Sequence, residues 1–198
     1  IKGTEIISSF NSQDVANSIS SLASLGSKID TRFRDAITKH IETIGDSFQT
    51  KELVNLFWGF EKLCSVLQFN LLRRIVDRVN VLNSQDVATT LYTTAQSPSA
   101  KVKKYSSENI ELLKRALVLL QTKMLDLATS ANSQDIANTL HAIARMSETS
   151  SYFQKNDSLV ESLVALAIRK IHVESLVVLA IRKIQSNNSR FSAAQVAQ

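Results

Sequence analysis

Three rings, a register of small polar groups and two basic clusters are the residues here whose spacing could do chemistry. Asn17, Ser21 and Ser24 fall opposite the apolar side chains Val15, Ala16, Ile19, Leu22 and Ala23 on a helical wheel. The same register later holds Asn55, Gly59 and Lys62, then Thr89, Thr93 and Gln96, then Asn138, Ala142 and Arg145. Small polar groups repeated in this way could read the edges of unpaired bases; a plain solvated face is the alternative. The flanking position carries Ser20, Trp58, Tyr92 and His141. The rings at 58, 92 and 141 could stack on unpaired bases, worth about 1–3 kcal/mol each, or pack between neighbouring elements. Arg73, Arg74 and Arg78 crowd one segment, and Lys101, Lys103, Lys104, Lys114 and Arg115 gather in the next. Such cations could neutralise phosphates, a contribution that falls as salt rises, or simply be solvated surface.

Catalytic chemistry has no comparable pattern. His40, His141 and His172 are spread over separate segments without metal-ligand spacing. No nucleophile–base pair has a recognisable signature, and no Gly-rich phosphate loop occurs. The expectation is a non-catalytic protein with no metal, no cofactor and no small-molecule substrate. His40 falls near the apolar side of its helix and reads as a packed histidine.

The elements that must position these groups follow from a phrase that recurs along the chain. Asn11-Ser12-Gln13-Asp14-Val15-Ala16 returns as Asn83-Ser84-Gln85-Asp86-Val87-Ala88 and as Asn132-Ser133-Gln134-Asp135-Ile136-Ala137. A looser copy begins at Gln49, and a frayed one, Ser192 to Ala197, closes the chain. Phe10, Phe48, Leu82, Ala131 and Phe191 precede the copies, and these positions are 38, 34, 49 and 60 residues apart. Self-similarity at this spacing is the mark of a helical-repeat solenoid. Each phrase reads as a helix start, with Asn11 or Ser12 as N-cap. Asp14, Glu52, Asp86 and Asp135 then set negative charge against the helix dipole, and the preceding Phe can act as a staple.

Composition agrees with this reading. Four Gly and one Pro are too few for a turn-rich sheet protein. The single Cys64 excludes an internal disulfide framework and fits a reducing compartment; it reads as a small buried side chain on the first helix of the second repeat. No apolar stretch approaches the ~20 residues of a membrane span, so no membrane partner is expected. The formal charge of +5 and pI near 9.4 lean toward anionic partners. The chain opens on Ile1 and not on Met, so its natural start is expected upstream and a targeting segment cannot be read.

The array divides into repeats 10–47, 48–81, 82–130 and 131–190, with a fifth beginning at 191–198. Each of the four pairs a helix A with an antiparallel helix B. In repeat one, helix A runs from about Gln13 to Leu25 with Gly26 as C-cap. Helix B carries Phe33, Ala36, Ile37, Ile41 and Ile44 as its apolar stripe. Repeat two places Leu53, Val54, Phe57 and Phe60 on helix A and Leu72, Ile75, Val76 and Val79 on helix B. Repeat three inserts a linker from Ala100 to Ser107, and repeat four a polar loop from Ser147 to Asp157. Repeat four also holds a tandem copy: the thirteen residues Val160 to His172 recur as Val173 to Gln185. Thirteen residues turn a helix by about 3.6 turns, which rotates the second stripe by some 220°. The helix breaks near His172, or the second copy faces another partner, or the copy is a duplication in the sequence itself.

Phe-x-x-Gln-Asp-Val-Ala-Asn followed by Leu-Ala-x-Leu-Gly, as it stands from Phe10 to Gly26, resembles a known family. Similar wording stands in the helical repeats, about 37–38 residues long, of octotricopeptide and heptatricopeptide proteins. These organellar RNA-binding arrays occur beside RAP domains and in FAST-kinase-like proteins. The likeness is clearest at 10–26, 82–96 and 131–146; helix B is generic, repeats three and four are longer than the family period, and no RAP domain is visible. Position 58 carries Trp where many family members place an aromatic. The resemblance implies a right-handed, all-α solenoid that holds single-stranded or ribosomal RNA along its inner surface. It also implies the mitochondrial matrix, with the plastid as second choice.

The resulting expectation is an RNA-binding array, most concretely a mitochondrial ribosome subunit clamping rRNA. The alternatives are a protein–protein scaffold in a large mitochondrial complex, among neighbouring proteins of the assembly, or a transcript stability or processing factor. RNA binding predicts that the Arg73 and Lys101 clusters share one surface with the 17/21/24 register. A scaffold requires an uncharged groove or an exposed apolar patch.

Overall fold

The computed structural model describes residues 6–64, 68–96, 105–149 and 155–170. All regular structure among them is helical. The A helices are α1 (Ser12–Ser24), α3 (Thr50–Cys64), α5 (Ser84–Gln96) and α7 (Ser133–Thr149). The B helices are α2 (Thr31–Thr43), α4 (Phe69–Asp77), α6 (Ser107–Leu127) and α8 (157–170). Single 3-10 turns at Ile7–Ser9, Gly45–Ser47 and Val79–Val81 lead into the first three A helices. Consecutive A helices pack on one another, α4 packs on α6, and each of the first three A helices packs on its own B helix. The chain is therefore an all-α helical-repeat array of two layers.

The recurring phrase starts the helices as capping chemistry requires. Asn11 is the N-cap of α1: its side chain accepts from the Asp14 N–H at 2.9 Å, and the Asp14 carboxylate accepts from the Asn11 N–H at 3.0 Å. Asn83 with Asp86 and Asn132 with Asp135 repeat this reciprocal pair, the side-chain amides accepting at 2.9 and 2.8 Å. The acid therefore satisfies a backbone donor as well as opposing the dipole. Glu52 does the same for the Gln49 N–H at 2.8 Å. Helix α1 ends in a Schellman turn: the Gly26 N–H donates to Ala23 O and the Ser27 N–H to Leu22 O, with Gly26 at φ +64°. Repeat four departs slightly from expectation. Helix α7 continues past Met146 to Thr149, Ser147 bonding back to Ile143 O, and α8 starts at 157 behind Asn156, which caps the Leu159 N–H at 3.0 Å. The 173–185 copy and the fifth phrase lie outside the described residues.

One hydrophobic core runs through the array. The expected stripes fill it: Val15, Ala16, Ile19 and Ala23 from α1, Leu53, Val54, Phe57 and Phe60 from α3, Leu72, Ile75 and Val76 from α4. Phe48, Leu82 and Ala131, the residues ahead of three of the caps, are also buried. Cys64 is half-buried against the same core, and burial pushes its thiol up.

The wheel misplaces one register. Gly59, Thr93 and Ala142 are buried, although the same position in repeat one, Ser21, is exposed. At Gly59 this is where α3 lies against its predecessor, α1. A Cβ at Gly59 would stand 2.6 Å from Ile19 Cγ2 and 3.3 Å from the Ile19 backbone. The separation leaves room only for a small residue. Gly59→Val should destabilise the protein by about 1–3 kcal/mol in urea denaturation. The loss should shrink when Ile19→Ala opens the facing site, a coupling that independent sites would not show.

The α5 cap carries a second consequence. Burial raises the Asp86 pKa more than the Asn83 N–H and Lys51 lower it, and Asp135 raises it further. A raised folded-state pKa means Asp86 favours folding when protonated and loses that contribution as pH rises through its folded value. Stability measured across the acidic range should therefore show Asp86→Asn gaining on the wild type as pH climbs above the ordinary aspartate range.

Candidate nucleic-acid interface

The column next to the buried small residues faces outward, and it holds the rings. Trp58 and Tyr92 are half-buried and His141 is exposed. Tyr92 and His141 lie 5.5 Å apart between centroids, with their planes tilted 35°. The Lys62 ammonium sits 5.0 Å from the Trp58 ring centroid, within cation–π range. Between α3 and α5, Trp58, Glu61, Lys62, Tyr92, Thr93 and Gln96 line a cavity of about 500 Å³. Three successive A helices thus bring Trp58, Tyr92 and His141 to one face.

The polar register flanks this line unevenly. Asn17 and Ser21 are exposed on α1, where Ser20 and Ser24 bond back to their own helix at 3.2 and 2.9 Å. Asn55, Thr89 and Asn138 are half-buried, and the Asn138 oxygen accepts from Gln134 at 2.8 Å. Lys62 and Arg145 are exposed on the same face. Repeat one contributes no ring to it.

The arginine cluster stands elsewhere. A second cavity, of about 520 Å³, lies between α2 and α4, and Arg73, Arg74 and Arg78 line it beside Glu42, Asp46 and Asp77, with Phe60 also in its wall. Trp58 and Lys62 are about 160–200° round α3 from Phe60, so the two cavities open on opposite sides of that helix. Arg73 pairs with Glu108 at 2.6 Å and Arg74 with Asp46 at 2.9 Å. The Arg74 guanidinium also lies over Gly45, where a Cβ would collide with it. On α6, Lys114 pairs with Glu111 at 2.6 Å and Arg115 is exposed. Lys101, Lys103 and Lys104 lie outside the described residues. The arginines and the 17/21/24 register therefore do not share one surface.

Arg78 has a partner that sequence reasoning missed. Its Nη1 donates to the Phe48 carbonyl, at the foot of its own repeat's helix A. His40 Nε2 meets the Phe10 carbonyl at 2.8 Å, Lys123 donates to Asn80 O at 2.9 Å, and Lys170 donates to Ala131 O. In every repeat a basic group of helix B ties down the backbone just ahead of the helix A cap. The signal was available in the first two repeats as a basic residue 30 positions after the Phe, but the separations become 43 and 39 in the next two, where Asn80 and Ala131 are the acceptors.

Among the described residues no group of three or more His, Cys, Asp or Glu is placed to hold a metal, and no helix is long and apolar enough to cross a membrane. No protein-family model matches the chain, and comparison with curated proteins finds no match.

The two kinds of arginine should separate in stability. Arg78→Met deprives a backbone carbonyl of its donor and should cost about 1–3 kcal/mol. Arg73→Ala removes an exposed ion pair and should stay within about 0.5 kcal/mol of wild type. Denaturant midpoints of the two variants measure the difference.

Proposed function

We propose that this protein is a non-catalytic helical-repeat binder of single-stranded RNA, using the A-helix face. The observation that supports it is the line of Trp58, Tyr92 and His141 in register on three successive helices, with Lys62 against the first ring and Arg145 beside the last. Sequence-tolerant binding of unpaired strands uses this combination of stacking surfaces and flanking cations. The resemblance of the A-helix wording to organellar RNA-binding repeats supports the same reading, and the mitochondrial ribosome, with rRNA as ligand, is the setting we propose. The phosphate contact then belongs first to Lys62, the cation placed against the first ring.

A protein–protein scaffold is the second reading. It is favoured by the separation of Arg73, Arg74 and Arg78 from the aromatic face, since Arg73 and Arg74 already pair with carboxylates and Arg78 with a backbone carbonyl of their own chain.

Fluorescence anisotropy with a pool of labelled single-stranded RNAs at two salt concentrations tests the choice. Micromolar or tighter binding that weakens as salt rises is the expected result. Trp58→Ala and Tyr92→Ala should each weaken it by about tenfold, the scale of one lost stacked base. Arg73→Glu combined with Arg74→Glu should change it far less. Absence of binding at low salt would overturn the proposal in favour of the scaffold.

A further inference from the structure

Three buried threonines line one flank of α5, and one of them behaves differently. Thr90 donates to the Asp86 carbonyl and Thr94 to the Thr90 carbonyl, each at 2.8 Å. Such back-bonding is how a hydroxyl is normally satisfied inside a helix. Thr93 lies between them, is 1% exposed, and its Oγ1 has no hydrogen-bond partner. It is the one buried side-chain polar atom among the described residues in that condition. Native interiors rarely leave such a group unmet.

Packing alone does not require a hydroxyl there. The equivalent positions in the neighbouring repeats are Gly59 and Ala142, which meet the need for a small residue without a polar atom. Thr93 also lines the α3/α5 cavity, between the half-buried rings of Trp58 and Tyr92. That cavity, about 500 Å³, lies within the roughly 300–1,000 Å³ range of small-ligand sites. It combines aromatic surface, a threonine whose unmet hydroxyl is covered in the free protein and a cation at its rim, with the Glu61 carboxylate and the Gln96 amide in the same wall.

We infer that this cavity receives a single unstacked nucleobase, held against Trp58 and Tyr92 and hydrogen-bonded by the Thr93 hydroxyl, with Lys62 beside its phosphate. The inference rests on the RNA-binding reading and makes it specific: the site between repeats two and three takes a base edge, while His141 and the rest of the face supply further stacking. A hydroxyl can donate or accept, so it can pair with a ring nitrogen or with an exocyclic group. The same chemistry could come from a free nucleotide, and the test separates the two sources.

The protein has a single tryptophan, Trp58, so its intrinsic emission reports this cavity directly. The probes are fluorescein-labelled homopolymers oligo(rA), oligo(rC) and oligo(rU) of about ten nucleotides, a length suited to such surfaces, together with free AMP, CMP and UMP. Anisotropy reports binding anywhere on the protein, and Trp58 emission reports occupancy of the cavity. The expected result is oligomer binding that quenches or shifts Trp58 emission in step with the anisotropy change, with free nucleotides weak or silent.

Thr93→Val keeps the side chain's shape and removes only the hydroxyl. It should leave Tm unchanged or higher, because no internal bond is lost, yet weaken oligomer binding about five- to tenfold. A purely structural residue would show the opposite pattern, with lower Tm and unaltered affinity. Oligomer binding that leaves Trp58 emission unchanged and is indifferent to Thr93→Val overturns the cavity assignment while leaving RNA binding intact. Trp58 quenching by free nucleotides at lower concentration than by oligomers overturns the strand reading of the cavity. No anisotropy change with any oligomer overturns both proposals.

Discussion

The close approach of successive A helices is the constraint on which the rest of this array depends. A helix that must lie against its predecessor needs one column of small side chains, and Gly59, Thr93 and Ala142 supply it. Fixing that column toward the previous repeat fixes the rotation of each helix about its axis. The large apolar residues two positions earlier, such as Phe57 and Leu91, stand about 200° round the helix and are then directed into the core. The position immediately before the small residue is carried to the outer face, which is where Trp58, Tyr92 and His141 stand. The ring line follows from the packing geometry, and so does its break at repeat one, where Ser20 and Ser21 occupy the two positions.

Rotation alone does not set where each helix begins, and backbone polar groups do that. The reciprocal Asn–Asp cap consumes donors of the first turn, while a basic group from helix B takes the carbonyl just ahead of it. Ser84 extends the scheme between repeats by donating to Asp135 at 2.7 Å, so the cap of α5 is joined to the cap of α7. The starts of α5 and α7 are thus tied to each other as well as to their own repeats, which holds these two helices at a common level. Side chains at equivalent positions then meet as neighbours, as the Tyr92–His141 contact shows. Without that level, rings one repeat apart would be staggered along the axis and could not form a continuous surface.

The helices, their caps and the main apolar stripes were legible in the sequence because they depend on neighbours within a few residues. Asn11 to Asp14, Gly26 and the Leu53–Phe57 stripe are local devices. The misplaced register shows what locality omits. On a wheel Ser21, Gly59, Thr93 and Ala142 look like a solvated side, since a single helix does not reveal that its small residues face another helix. The contrast between Gly59 and Lys62 was the available clue: a glycine inside a helix costs about 1 kcal/mol relative to alanine, and close packing against Ile19 offsets that cost. The arginine cluster was misgrouped for a related reason. Arg73, Arg74 and Arg78 lie close together on and just after one short helix, but their partners come from two other segments, Glu108 from α6 and Asp46 and Phe48 from the turn ahead of α3.

Charge placement then bears on what kind of partner each side of the array can hold. Cations that already face carboxylates, as Arg73 and Arg74 do, give a phosphate only the difference between two exposed ion pairs, and that difference is small in water. Lys62 lies against the Trp58 ring in a cation–π contact, so a phosphate there adds to an existing attraction and need not replace one. The rings beside it contribute contact area that salt does not screen. A face built this way would bind strands chiefly through bases, with a shallower salt dependence than a basic groove of equal affinity. The arginine side, with its mixed charges, suits a partner of mixed charge, and a protein surface has that character more than a polyanion does.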